Sequence, residues 1–227
     1  MGAMRVCLFD IDGTLINTGR AGRAAFYAAL QAEFQCVPPH HQVEFSGRTD
    51  RSIVGDLFDR HGIANSPENT HRFFDAYLKQ LPTMLNGREG IVLPGVAALL
   101  SQLAQRQDVA VGLLTGNTRR GAGVKLAHYG LADFFGFGGF GDVHLDRNDV
   151  AADALSAASA FLDHRVEPAD VWVIGDTPLD VRCARAIGAQ AVAVATGGHA
   201  LDELAHAEPD LLLADLESAH EMVERWA

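Results

Sequence analysis

Two carboxylates two residues apart, Asp10 and Asp12, stand where an apolar run, Val6-Cys7-Leu8-Phe9, gives way to Gly13-Thr14. Such a run reads as a buried parallel strand, and open α/β sheets bind ligands outside the carboxyl ends of their strands. If extended geometry continues through Asp12, both side chains point to one face, so that one can attack while the other moves a proton. Gly13 allows a sharp turn, and Thr14 adds a hydroxyl and N–H groups near an anion. Taken alone, Asp10 would read as an ordinary strand-end turn residue.

Two further segments repeat the pattern. Val171-Trp172-Val173-Ile174-Gly175 ends in Asp176, with Asp180 four residues on. Two acidic strand ends imply a hard cation, and oxygen ligands of this kind suit Mg²⁺, which takes one or two carboxylates plus a substrate phosphate. Ala110-Val111-Gly112-Leu113-Leu114 ends instead in Thr115-Gly116-Asn117, where a hydroxyl and backbone N–H donors would cradle a phosphate.

With these residues in place, Phe9-Asp10-Ile11-Asp12-Gly13-Thr14-Leu15, Leu114-Thr115-Gly116-Asn117 and Ile174-Gly175-Asp176-Thr177-Pro178-Leu179-Asp180 resemble motifs I, II and IV of the haloacid dehalogenase-like (HAD) hydrolase superfamily, in order and in spacing. From Val6 to about Leu213 the chain resembles the phosphoglycolate phosphatase-like branch, whose members insert a small helical cap between motifs I and II. The resemblance implies an Mg²⁺-dependent phosphatase acting on a small phosphorylated metabolite. In it Asp10 would form an aspartyl-phosphate and Asp12 would protonate the leaving group and then activate water. The metal would be held by Asp10, Asp176 and the backbone carbonyl of Asp12. Asp180 has two readings, support or direct ligation of the metal and capping of the next helix. Thr115 and Gly116 would hold the phosphoryl oxygens, with Asn117 beside them or capping the following helix.

The chain departs from the family at motif III, where many relatives carry Lys-Pro before the helix leading to motif IV. The corresponding stretch, Gly141 to Asp149, holds no lysine. Only Lys79 and Lys125 are lysines among 18 basic residues, and Lys125, on the helix after Thr115, is the favoured cation over Arg147. A compact ammonium acts as a point charge on phosphate where arginine imposes fork geometry. In the cap, Gly47-Arg48-Thr49-Asp50 resembles a stretch of capped relatives. Arg48 either binds a substrate carboxylate or second phosphate or is solvated while Thr49 or Asp50 caps a helix. Asn17, Thr18 and Arg20 fall at the hinge.

The elements that must position these groups can be read from periodicity. Strands are expected at about 5–10, 109–115, 171–175 and 191–195, with an edge strand at 211–213. Helices are expected at about 21–34, 52–61, 67–85, 96–105, 119–129, 150–162 and 179–187, closing with one at 218–226. Alternation after residue 96 implies a doubly wound, Rossmann-like parallel sheet with helices on both faces, an α/β fold. The HAD-like core takes residues 1–16 and 88–227, and the helical cap residues 17–87. Gly136 to Gly141 satisfies a dinucleotide-binding spacing but opens no helix, so it reads as a flexible loop. Gly197-Gly198-His199 reads foremost as a plain loop after a strand.

At 227 residues the chain can bury one sizeable core and a satellite domain. A net charge of −11 argues against broad contact with nucleic acid. Cys7, Cys36 and Cys183 form no metal or disulfide pattern, which fits a reducing cytoplasm, and no apolar stretch is long enough to span a membrane. None of the ten histidines forms a zinc motif, and His40-His41 reads as an exposed cap loop. Met1 to Met4 reads as partly an added leader with Met4 the natural start. The chain would be a monomer or homodimer. A phosphotransferase of phosphoglucomutase type could use the same core residues, and a non-catalytic HAD scaffold is the non-enzymatic alternative. A dehalogenase needs neither Asp12 nor a metal.

Overall fold

The computed structural model describes residues 4–37 and 43–226. The His40-His41 segment and the first three residues lie outside that range. Strand β1 (Arg5–Phe9) is short, fully apolar beyond Arg5, and buried on both faces. It leads through β2 (Ile16–Asn17) into three helices, α1 (Ala21–Phe34), α2 (Asp50–His61) and α3 (Pro67–Asn86). The chain returns through β3 (Ile91–Val92), which pairs antiparallel with β2. That two-stranded neck joins cap and core. Beyond it come α4 (Val96–Ala104), β4 (Val109–Leu114), α5 (Arg119–His128), β5 (Gly138–Gly139), α6 (Arg147–Phe161) and β6 (Val171–Gly175). The chain ends with α7 (Pro178–Ile187), β7 (Gln190–Val194), α8 (Leu201–Ala205), β8 (Leu211–Leu213) and α9 (His220–Glu224).

Six strands form one sheet in the order β5-β4-β1-β6-β7-β8, parallel as the alternating pattern predicts, with one strand more than the pattern showed. Its two faces are read from alternate residues. Cys7 and Phe9 of β1 share one apolar cluster with Trp172, Ile174, Val192, Leu99, Leu103 and Leu126. Val6 and Leu8 share the other with Val173, Ala191, Val150, Ala154, Val181 and Ala184. Helices α4 and α5 therefore cover one face and α6 and α7 the other, a doubly wound α/β fold. Because β1 lies between β4 and β6, the residues just past these three strands, Asp10, Thr115 and Asp176, meet at one edge. The Asp10 N–H donates to the Ile174 carbonyl at 2.9 Å, holding the first loop against the third strand.

The cap has its own core. Ala21, Ala25 and Ala29 recur every four residues on α1, and such small side chains let α3 approach closely. Phe26, at 2 % exposure, packs edge-on against Phe45, Phe73 and Tyr77, with centroids 4.7 to 5.5 Å away.

Several expected elements need revision. Helix α6 begins at Arg147, not Val150, because Asp146 caps it by accepting from the Asn148 N–H. That puts Arg147 in the first turn, pointing at the sheet edge. The glycine run is no free loop: Gly138 and Gly139 are buried and pair in register with Leu113 and Leu114 as the edge strand. A side chain on Gly139 would strike the Val150 carbonyl, so only glycine lets α6 lie so close. The closing helix is broken, a 3₁₀ turn at Leu216–Ser218 followed by α9. Cys7 and Cys183 are buried free thiols. No helix of the described residues is long and apolar enough to cross a membrane.

Candidate active site

Asp10 and Asp12 leave β1 together but enter different surroundings. Asp10 is buried, and its Oδ1 lies 2.9 Å from Arg147 Nη2 in an ion pair. The same nitrogen donates to Asp180 Oδ1 at 2.5 Å. Asp12 is half-exposed; its Oδ2 accepts from Lys125 Nζ at 2.5 Å and from Asn117 Nδ2 at 2.9 Å. Lys125 also donates to Asn117 Oδ1 at 2.6 Å, closing a triangle between α5 and the two strand ends. Both candidate cations are thus in the site, Arg147 on Asp10 and Lys125 on Asp12.

Asp176 sits in a slot made by absence. Gly13, at φ +90°, and Gly197 both lie so close that a Cβ on either would collide with its carboxylate. Thr14 Oγ1 donates to Asp176 Oδ1 at 3.1 Å, and Thr196 Oγ1 donates to the Gly13 carbonyl at 2.6 Å. The Gly197 loop is therefore a wall of the site rather than a bystander.

Asp180 caps a helix and also faces the other buried carboxylates. One oxygen takes N–H and O–H bonds from Thr177, closing a capping box on α7. The other faces Arg147 and the metal-ligand candidates. Asp10, Asp176 and Asp180 each offer an oxygen within 4.8 Å of the others, and all three are buried. Burial pushes Asp10 up to about 6; Arg147 pulls it down, while Asp180 and Asp12 push it further up. Asp176 is raised well above the usual carboxylate range, by burial first and then by Asp10 and Asp180. Arg147 is disfavoured by burial, yet Asp10 and Asp180 outweigh that and hold it firmly protonated. Three buried carboxylates against one guanidinium leave an excess of negative charge, and hard oxygen donors at this separation fit a divalent cation. Asp12 contributes no side-chain oxygen to that cluster.

Thr115 and Gly116 face the same space. The Thr115 N–H is used by the Gly139 carbonyl, and its Oγ1 accepts from Asn117 Nδ2 at 2.9 Å, which leaves the hydroxyl proton available. The Gly116 N–H has no acceptor among the described residues. Asn117 is not the helix cap; Thr118 is, its hydroxyl accepting from the Gly121 N–H.

The cap closes over this edge. The Asp50 N–H donates to the Gly116 carbonyl at 2.6 Å, and its carboxylate accepts from the Thr118 N–H at 2.8 Å. Burial pushes Asp50 up to about 7, against the pull of Lys125 and the Thr118 N–H. Thr49 caps α2 by accepting from the Ser52 N–H at 3.1 Å. Arg48 lines the cavity between the domains, but its Nη1 is held by Asp56 Oδ2 at 2.6 Å. The cavity is about 300 Å³; beyond the groups already named, Ile16, Arg20, Arg23, Phe26, Phe45 and Tyr77 form its upper walls. The Tyr77 hydroxyl finds no partner among the described residues. Sequence reading missed Arg23, Tyr77 and the reach of Asp50 into the core. The closeness of Arg23 to the hinge residue Arg20 in the chain was the one signal that could have found it.

Comparison with known proteins agrees with this arrangement. The family model of haloacid dehalogenase-like hydrolases matches residues 7–194. The chain is 30 % identical over 211 residues to a phosphoglycolate phosphatase of Synechococcus elongatus, covering 92 % of each protein. It is 28 % identical over 222 residues to the validoxylamine A 7'-phosphate phosphatase of Streptomyces hygroscopicus subsp. limoneus, covering 93 % of this chain and 94 % of that one. Among solved structures, CbbY from Rhodobacter sphaeroides in complex with xylulose-(1,5)bisphosphate shares the fold, with a TM-score of 0.74 at 21 % identity over 95 % of this chain and 96 % of that one. With 188 consecutive positions inside the family model and its acidic strand ends converging on one pocket, the chain belongs to the haloacid dehalogenase-like hydrolase family, and within it to the phosphoglycolate phosphatase-like phosphatases.

Proposed function

We propose that the protein is an Mg²⁺-dependent phosphatase that hydrolyses a small phosphomonoester through an aspartyl-phosphate on Asp10. One observation carries the reading: two carboxylates two residues apart are held by different cations, Arg147 on Asp10 and Lys125 on Asp12. Mg²⁺ held by Asp10, Asp176 and the main-chain carbonyl of Asp12, with Asp180 behind them, would screen the phosphate from its nucleophile and polarise the phosphoryl group.

An Asp10 carboxylate oxygen attacks phosphorus, forming an acyl phosphate as the bond to the alcohol breaks. Asp12 hands its proton to the departing oxygen, and Lys125 and Asn117 hold that carboxyl in place. Asp12 then takes a proton from water, which attacks the phosphorus and releases inorganic phosphate and the Asp10 carboxylate. The Thr115 hydroxyl and Gly116 N–H donate to the phosphoryl oxygens, each worth on the order of 3 kcal/mol by comparison with oxyanion donors elsewhere. Asn117 keeps Thr115, Asp12 and Lys125 in register. Arg48 stands above with its remaining donors toward the alcohol portion.

The names of the relatives support a phosphorylated small molecule as substrate, a phosphoglycolate-like acid or a sugar phosphate. The test is release of inorganic phosphate from p-nitrophenyl phosphate with Mg²⁺. Loss of activity in Asp10→Asn and on chelation is expected, and full activity in either case overturns the reading.

A further inference from the structure

Five basic side chains line the cavity: Arg20, Arg23, Arg48, Lys125 and Arg147. Three are already spoken for, Lys125 by Asp12, Arg147 by Asp10 and Asp180, Arg48 by Asp56. Arg20 and Arg23 make no ion pair and no side-chain hydrogen bond among the described residues. Arg20 is the residue before α1 and Arg23 stands in its first turn, and both line the cavity. The first turn of α1 holds no acidic residue to offset them. Arg20 adopts a left-handed backbone, φ 65°, that arginine pays for with strain.

Arg23 is held in a particular way. Its guanidinium carbon lies 5.0 Å from the centroid of Phe45, itself a cavity wall. An aromatic ring on the face of a guanidinium satisfies the cation's face and leaves its N–H donors free in the plane. Those donors form a fork that matches a carboxylate or phosphate in two-point contact. Around it the cavity mixes apolar walls, Ile16, Phe26 and Ile53, with neutral polar groups, Thr18, Ser46 and Tyr77. Neutral donors and acceptors serve a neutral alcohol, whereas a free, face-stacked guanidinium adds what only an anion uses in full.

Resting on the phosphatase reading above, we propose that Arg23, steadied by Phe45 and seconded by Arg20, binds a second anionic group on the alcohol portion of the substrate. The preferred substrates are then phosphomonoesters whose alcohol carries a carboxylate or another phosphate. Arg48, tied to Asp56, is not the main anchor.

Steady-state kinetics on three short esters tests this: phosphoglycolate, ethylene glycol bisphosphate and the neutral hydroxyethyl phosphate. The readout is kcat/KM for each ester with an anionic alcohol portion divided by that for the neutral one. In the unaltered protein at least one ratio exceeds about tenfold, and the larger of the two tells carboxylate from phosphate. Arg23→Gln lowers that ratio by about 10- to 100-fold, the span expected for a lost charge-assisted contact. Arg23→Lys, which keeps the charge but loses the fork and the stacked face, recovers only part of it, which a merely structural role would not predict. Arg48→Gln lowers it less than Arg23→Gln does. A ratio near one in the unaltered protein, or an equal fall on all three esters in Arg23→Gln, overturns the inference while leaving the phosphatase reading intact. Failure to hydrolyse any of the three, or p-nitrophenyl phosphate, overturns the phosphatase reading itself, and this inference with it.

Discussion

Lys125 reaches across the site to Asp12, Nζ to Oδ2 at 2.5 Å, from a helix that starts only after Asn117 has turned the chain. The ammonium is 4 % exposed, and the main chain of α1 presses on it: a Cβ at Gly22 would lie 3.2 Å from Nζ. It is a fitted group and not a solvated helix lysine. Its two acceptors, Asp12 and Asn117, lie just past β1 and β4, so one side chain ties these two strand ends together.

Lys125→Met should lower kcat for p-nitrophenyl phosphate by about 10²- to 10³-fold, because general acid–base groups contribute that much and Asp12 would lose its orientation. KM should change little. Lys125→Arg should not restore the rate, since the slot beside Gly22 has no room for a guanidinium fork. Unchanged kcat in Lys125→Met would remove Lys125 from the mechanism.

Arg147 differs in kind. It is the single cation buried among Asp10, Asp180 and Asp176, and removing one partner of a buried ion pair costs about 3–5 kcal/mol. Arg147→Met should therefore lower the urea midpoint of the metal-free protein strongly, and saturating Mg²⁺ should recover much of the loss. A loss of the same size with and without Mg²⁺ would mean that the cation and the guanidinium do not share the carboxylates.

The convergence of the strand ends was legible in sequence. Asp10, Asp12, Thr115 and Asp176 each terminate an apolar run, and parallel strands bring such positions together whatever lies between them. Arg147 was ranked second because a compact ammonium reads as the better point charge on phosphate, and its place in the first turn of α6 shows only once Asp146 is seen to cap that helix. The edge strand at Gly138–Gly139 was hidden for a similar reason: glycine has poor strand propensity, and what selects it is the closeness of Leu113 and Val150, a tertiary fact. Gly197 acts by lacking a side chain where Asp176 needs room, which leaves no trace in local pattern. Arg23 and Asp50 depend on how the cap sits on the core, and no periodicity encodes that. Asp50 acts through contacts with Gly116 and Thr118, and Arg23 through its stacking on Phe45, each pair far apart in the chain.

Asp50 carries the last prediction, because it joins the domains with a group whose charge is costly. Its carboxylate is buried at the interface and accepts from the Thr118 N–H, and burial raises it from 3.8 to about 7. A carboxylic acid raised on folding favours the folded state fully below its unfolded value, where it is protonated in both states. That contribution is lost as pH rises from about 4 to about 7, since the unfolded chain releases the proton first. Lys125 and the Thr118 N–H soften the cost of the charge but do not cancel it. Asp50→Asn keeps an acceptor for the Thr118 N–H and cannot ionise. The stability of the unaltered protein minus that of Asp50→Asn, from urea titrations, should therefore fall steadily between pH 4 and pH 7 and level off above. Taking the difference removes Asp10 and Asp176, which titrate in both proteins. A difference that does not vary with pH would mean that the cap closes over an Asp50 already charged, with Lys125 compensating it in full.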